Sequence, residues 1–197
     1  MLTASIDQLC LRIAESDDEA AFNLLFKNFY PRLLVFAQAI LKIREPAEEA
    51  VEDVFVKLWE NRKVLPAIKN LNYYLLVSVK HKALDYLEKI KSQAVVGFDD
   101  VVFEIDDVQT ANPETSLISA ENIRIIRSAI NELPPRCKLI FHLVKDEGLK
   151  YRETADLLNI SLKTVETQMS LALRKIGEAL QARFPAEARR SQANRHK

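Results

Sequence analysis

The chain has 197 residues, 48% of them hydrophobic, which is enough apolar surface for one medium core or two small ones. Only three glycines occur, while Leu, Ala, Glu and Lys are plentiful; helix is favoured and the turn-rich texture of a sandwich or barrel is excluded. The formal net charge is zero, which argues against a protein that coats nucleic acid without regard to sequence. An all-α fold is expected. Cys10 and Cys137 sit far apart in apolar stretches, with neither CxxC nor a cysteine-histidine spacing suited to zinc, and read as reduced core residues in a cytoplasmic protein. No run approaches the roughly eighteen apolar residues of a membrane span, and no basic segment with an apolar run of signal length opens the chain.

In chain order, the residues up to Glu15 allow a short helix. Asp17 and Asp18 suit the cap of a helix whose Phe22, Leu25, Phe26, Phe29, Leu33, Phe36 and Ile40 recur at intervals of three and four. Pro31 is expected to kink that helix or split it. Pro46 suits a first helical position, followed by Glu48, Glu49, Glu52 and Asp53 near the helix start and a stripe through Val51, Val54, Phe55, Leu58 and Trp59. The stretch Asn61 to Asn70, with Pro66, breaks the pattern. A third helix then buries Leu76, Val79, Ala83, Leu87 and Ile90 and leaves Ser78, His81, Lys82, Asp85 and Lys89 on its other side.

Charge divides the chain. From Arg62 to Lys91 it is basic; from Ser92 to Glu121 it has no Lys or Arg but carries Asp99, Asp100, Glu104, Asp106, Asp107, Glu114 and Glu121. With Gly97 and Asn112-Pro113, this reads as an acidic linker over 92–115 between domains 1–91 and 116–184, ahead of a disordered tail at 185–197. If flexible, a linker of about 25 residues holds its ends roughly 25–30 Å apart, so the two domains can reach separate sites on one extended target.

The second domain carries the sharpest pattern. Leu133-Pro134-Pro135 opens a helix through Leu139, Ile140, Leu143 and Val144 that stops at Gly148. A short helix from Tyr151 to Leu158, the turn Asn159-Ile160-Ser161 and a long helix from Leu162 to about Arg183 follow. Asn159 tolerates the left-handed conformation and Ser161 is a good N-cap. On the long helix Val165, Met169, Ala172, Ile176 and Leu180 share one face, and Lys163, Glu166, Thr167, Ser170 and Arg174 the opposite one. A DNA-reading helix needs this division, although an ordinary amphipathic helix with a solvated face has the same period.

The run LPPRCKLIFHLVKDEGLKYRETADLLNISLKTVETQMSLALRKI resembles the promoter-binding C-terminal domain of sigma factors, notably in Leu133-Pro134, Asp146-Glu147-Gly148, Tyr151 with Glu153 and Ala155, Ile160-Ser161 and Thr164-Val165. PAEEAVEDVFVKLWE is similar to the family's clamp-docking helix, and KHKALDY to its promoter-contacting helix. LuxR-type regulators share the second domain only, so the ordered pair identifies the chain as a small extracytoplasmic-function member of the sigma-70 family. The resemblance implies that core RNA polymerase is the partner, through the clamp and flap of its two large subunits, together with promoter DNA and an anti-sigma factor, without membrane insertion. Glu49, Glu52, Asp53 and Lys57 would face polymerase. Asn61, Arg62, Asn70 and Asn72 would serve the loop that captures a base flipped out of the minus-ten element, and Lys80, His81, Lys82 and Lys89, with Lys91, would contact phosphates. Trp59 reads as core rather than as a base-stacking wedge. At the minus-thirty-five element, Lys163, Thr164, Glu166, Thr167 and Ser170 would enter the major groove, with Arg152, Gln168 and Arg174 placed for the backbone. Three positions depart from the family pattern: Glu52 replaces a frequent glutamine, His81 a common asparagine, and Glu88 an arginine.

Neither Glu48, Glu49, Glu52 and Asp53 nor His81 with Asp85 has the Glu-x-x-His or HExxH partners of a metal enzyme, and no glycine-rich phosphate loop exists; no cofactor is expected and enzyme chemistry is set aside. A stand-alone helix-turn-helix regulator that binds a palindromic operator as a dimer is the stronger alternative.

Overall fold

In the computed structural model, described over residues 5–93 and 117–183, every regular element is a helix. The chain divides into two compact units, Met1–Val108 and Gln109–Lys197. The acidic linker, apart from its first two residues, and the expected C-terminal tail lie outside the described residues.

The first unit begins with α1 (Ile6–Ser16), where Ser5 and Gln8 form a capping box. α2 (Glu19–Leu41) starts at Asp18, whose carboxylate accepts from the Ala21 amide at 2.9 Å. Of the two expected effects of Pro31, a kink or a split, the split does not occur: the helix runs unbroken through it. Pro31 lacks the amide that would bond Lys27, but it faces solvent, where water can satisfy the freed carbonyl. Phe29, Leu33 and Phe36 on the other side are each 1% exposed, and their burial, worth about 1.5–3 kcal/mol per side chain, holds the helix on its path. α3 (Arg44–Glu60) starts two residues earlier than expected. Pro46 therefore stands third in the helix rather than first, still within the turn whose amides lack intrahelical acceptors. The pattern-breaking stretch contains a 3-10 turn, Arg62–Ala67, which packs on α1 and buries Leu65. α4 (Leu71–Gln93) then packs on α2 and α3 with Leu75, Leu76, Val79 and Ala83 fully buried. Leu87 is half-buried, and the side chain of Ile90 lies outside the described residues.

The second unit holds α5 (Leu117–Asn131), α6 (Pro135–Lys145), α7 (Tyr151–Leu158) and α8 (Leu162–Arg183). The periodicity predicts helices in this unit only from Leu133 onward; α5 precedes them. Its Ala129 joins Leu133, Cys137, Ile140, Phe141, Ala155, Val165, Met169, Ala172 and Ile176 in the core. α6 is capped by Asp146; the Glu147 amide bonds the His142 carbonyl, and Gly148, at φ 69°, turns the chain so that the Leu149 amide bonds that of Leu143. Cys10 and Cys137 are both free and buried, which raises both thiols above their ordinary value. Among the described residues no helix is long and apolar enough to cross a membrane.

Candidate nucleic-acid interface

The turn between α7 and α8 sets the direction of α8. Asn159 adopts φ 52° and ψ 49°, the left-handed region, and the Ile160 amide reaches back 3.0 Å to the Ala155 carbonyl. The Ser161 hydroxyl accepts from the Thr164 amide at 3.0 Å and lies 2.8 Å from the Thr164 hydroxyl. The Thr164 hydroxyl is thus engaged with the cap.

α8 is anchored by Val165, Met169 and Ala172, none more than 1% exposed, and by Ile176. Lys163, Thr167, Ser170 and Arg174 are exposed on the opposite side and Glu166 half-exposed, as the sequence period implies. The hydroxyls of Thr167 and Ser170 donate back to the Lys163 and Glu166 carbonyls, each at 2.8 Å, so each oxygen turns its acceptor capacity outward. Lys163 lies 3.5 Å from Glu166 and Arg174 3.8 Å from Glu178. These are exposed pairs, worth at most about 1 kcal/mol and exchangeable for a stronger partner. Lys163, Glu166, Thr167, Ser170 and Arg174 line one open cleft together with Tyr151, Leu171 and Leu173. None of these three was among the site candidates from sequence; the period marks Leu171 and Leu173 only as interruptions of a polar face. Arg152 is exposed on α7, and Gln168 is half-buried, its carbonyl accepting from the Cys137 thiol at 3.2 Å.

In the first unit, Glu49, Glu52 and Lys57 are exposed along α3. Asp53 is turned toward α4, where it accepts from Lys82 at 3.0 Å and from the Tyr86 hydroxyl at 3.3 Å. Two residues assigned from sequence to different partners therefore meet. Tyr86, which no sequence pattern marks, has its phenol pushed up to about 12, chiefly by burial and then by the charges of Asp53 and Glu49. Lys89 places its ammonium 5.2 Å from the centre of the Tyr86 ring. Lys80 is half-buried and His81 exposed.

The stretch between α3 and α4 uses its polar side chains to hold itself. Asn61 donates to the Lys57 carbonyl at 2.9 Å and closes α3. Arg62 bonds Asp17 and the Trp59 carbonyl, at 2.5 and 3.0 Å, and stacks 4.7 Å over the Trp59 ring. Asn70 accepts from the Tyr73 amide at 3.1 Å, as an N-cap does, and Asn72 accepts from Arg32 at 2.8 Å. The helix boundaries carried the signal for Asn61 and Asn70, since each stands next to a helix end. Nothing in the sequence pairs Asn72 with Arg32, forty positions away. Trp59 is half-buried against Phe22, with ring centres 5.0 Å apart. Among the described residues no group of His, Cys, Asp and Glu could hold a metal ion.

The family model for sigma-70 region 2 matches residues 25–93 and that for sigma-70 region 4 matches residues 123–176. Similar curated proteins include the ECF RNA polymerase sigma factor RpoE of Cereibacter sphaeroides, 24% identical over 83% of this chain and 88% of the relative. SigX of Bacillus subtilis is 24% identical over 79% and 81% of the two chains, and the sigma-E factor of Haemophilus influenzae 24% over 89% and 95%. Similar solved structures include CnrH in complex with the cytosolic domain of CnrY, at TM-score 0.46, 19% identity and coverage of 90% and 99%. Another is RpoE in complex with the anti-sigma factor NepR from Bartonella quintana, at TM-score 0.49, 21% identity and coverage of 81% and 96%. With regions 2 and 4 matched in order over more than half of its length, and relatives of the same class aligned along most of it, the chain belongs to the sigma-70 family, among the extracytoplasmic-function sigma factors.

Proposed function

We propose that this sigma factor binds core RNA polymerase and directs it to promoters with two separate elements, one for each unit. The observation that carries the reading is the presence of both regions in one chain in the family's order. A stand-alone regulator requires only the second. The first unit docks through α3 on the clamp, with Glu49, Glu52 and Lys57 outward, and the second sits on the flap. Polymerase, not a rigid protein rod, then sets the spacing between the promoter elements.

At the minus-thirty-five element, the outer face of α8 enters the major groove. Glu166 accepts from cytosine N4, Lys163 donates to guanine or a phosphate, and Thr167 and Ser170 offer hydroxyl acceptors. Arg152 and Arg174 take phosphates. At the minus-ten element, Lys80, His81 and Lys89 approach the backbone, while the loop after α3 receives the extruded base. Asn61, Arg62, Asn70 and Asn72 shape that loop through the bonds described above. The protein supplies no chemistry of its own; polymerase makes the phosphodiester bonds. It acts in the cytoplasm, and, as family membership implies, an anti-sigma partner covers its binding faces until a signal releases it.

The test is run-off transcription by core polymerase, with and without this protein, on a pool of promoter fragments. Protein-dependent transcripts sharing two upstream elements are expected. No transcripts, with no co-elution with core polymerase, would favour a dimeric regulator and a palindromic footprint. Lys163→Ala and Glu166→Ala should alter upstream sequence preference, by about 1–3 kcal/mol for a bidentate base contact, and leave polymerase binding intact.

A further inference from the structure

The 3-10 turn Arg62–Ala67 is anchored by a side chain from outside the loop. Asp17 ends α1 with φ 52°, in the left-handed region that Asp tolerates better than most residues. Its carboxylate accepts from Arg62 at 2.5 Å and lies 3.9 Å from the Lys63 ammonium. Arg62 in turn donates to the Trp59 carbonyl and covers the Trp59 ring, whose other neighbour is Phe22 of α2. The entry to the loop is thus tied to α1, α2 and α3. Lys63 is 70% exposed at its side chain and Arg62 only 23%, so Arg62 is built into the anchor while its neighbour faces outward. The hydrogen bond to Arg62 is the main reason the Asp17 carboxyl titrates below its ordinary value, and the same bond raises the guanidinium. The tie is charged on both sides at neutral pH.

We infer that Asp17 is a positioning residue for promoter opening: acting through Arg62, it holds the loop in the conformation that receives the extruded base. The inference rests on the proposed base-capturing role of that loop. A 3-10 turn has poor hydrogen-bond geometry of its own and needs support from its surroundings. Without the tie, ordering of the loop is deferred to the moment of base capture, and the loss falls on opening rather than on folding. Asp17 is 51% exposed at its side chain, so the pair contributes little to global stability and the two effects can be separated.

The experiment compares holoenzyme carrying wild type, Asp17→Asn or Asp17→Glu on a promoter found by run-off transcription, as duplex and as a template pre-opened by mismatches across the minus-ten element. Permanganate reactivity of unpaired thymines is the readout on the duplex, and polymerase-dependent run-off transcript the readout on the pre-opened template. Asp17→Asn should lower opening of the duplex about tenfold, the scale of one lost preorganising contact, and keep transcription from the mismatched template within about threefold of wild type. Asp17→Glu should retain duplex opening, and co-elution of every variant with core polymerase should be unchanged. Should Asp17→Asn fail to fold, Asp17→Gly, which accepts the φ of 52° and removes the carboxylate, gives the same comparison. Equal defects on both templates, or none on the duplex, would overturn the inference. A wild type without polymerase-dependent activity on either template would remove the functional reading beneath it, and the inference with it.

Discussion

Tyr86 bonds the same carboxylate as Lys82, and its burial and acidic surroundings give it a measurable signature. A phenol pushed from 10.0 to about 12 favours the protonated, folded form. Its contribution to stability is therefore complete below the unfolded value near pH 10 and is lost as pH rises through about 12. A phenolate absorbance titration should lose its most alkaline component in Tyr86→Phe, and the variant should show a weaker loss of stability over that window. Unchanged titration would mean that the burial and acidic surroundings of Tyr86 do not persist in solution. Ser161 belongs to the same scale: its hydroxyl satisfies the Thr164 amide, and Ser161→Ala should cost about 1 kcal/mol, read from the urea midpoint of the second unit.

At the scale of the element, α2 and the turn before α8 make opposite demands on the backbone. Proline inside a helix is about 3 kcal/mol worse than alanine, and α2 carries Pro31 midway along its length. Pro31→Ala should therefore stabilise the first unit by about 1–3 kcal/mol, seen as a higher denaturation midpoint. An unchanged midpoint would mean that the surrounding helices already relieve the clash. The turn needs a left-handed residue, which Asn159 supplies. Asn159→Gly should leave stability within a few tenths of a kcal/mol, whereas Asn159→Val should cost about 1–2 kcal/mol and disturb the orientation of α8. Loss of minus-thirty-five recognition in Asn159→Val, without loss of core polymerase binding, would locate the damage in that turn.

For the whole molecule, stability and recognition are coupled through small cores. In the second unit a buried cluster takes Val165, Met169, Ala172 and Ile176 from α8. Met169 is 1% exposed, and Met169→Ala should cost about 2–5 kcal/mol. That is comparable with the whole stability expected of a domain this size, at about 0.05–0.15 kcal/mol per residue. Upstream promoter recognition should fail in this variant although no residue on the outer face of α8 has changed, and circular dichroism should show the lost helix. A variant that keeps both its helicity and its promoter preference would show that the cluster has other means of fixing α8.

Much of this protein was legible in the order of its residues. The 3.6-residue period of Val165, Met169, Ala172 and Ile176 determined the buried side of α8 and hence the exposed side, because helix geometry alone assigns faces. Asn159 and Ser161 marked the turn, because few side chains accept its backbone or cap the next helix. The all-α class followed from composition and period. The start of α3, the continuity of α2 through Pro31 and the existence of α5 were not legible, since packing decides whether a weak local signal is overridden. The use of the loop's polar groups lay further still from the sequence. Arg62 with Asp17, Asn72 with Arg32 and Asp53 with Lys82 are pairs forty-five, forty and twenty-nine positions apart. Local propensity carries no information about such pairs; only the packing of the helices brings their charges and dipoles within hydrogen-bond reach.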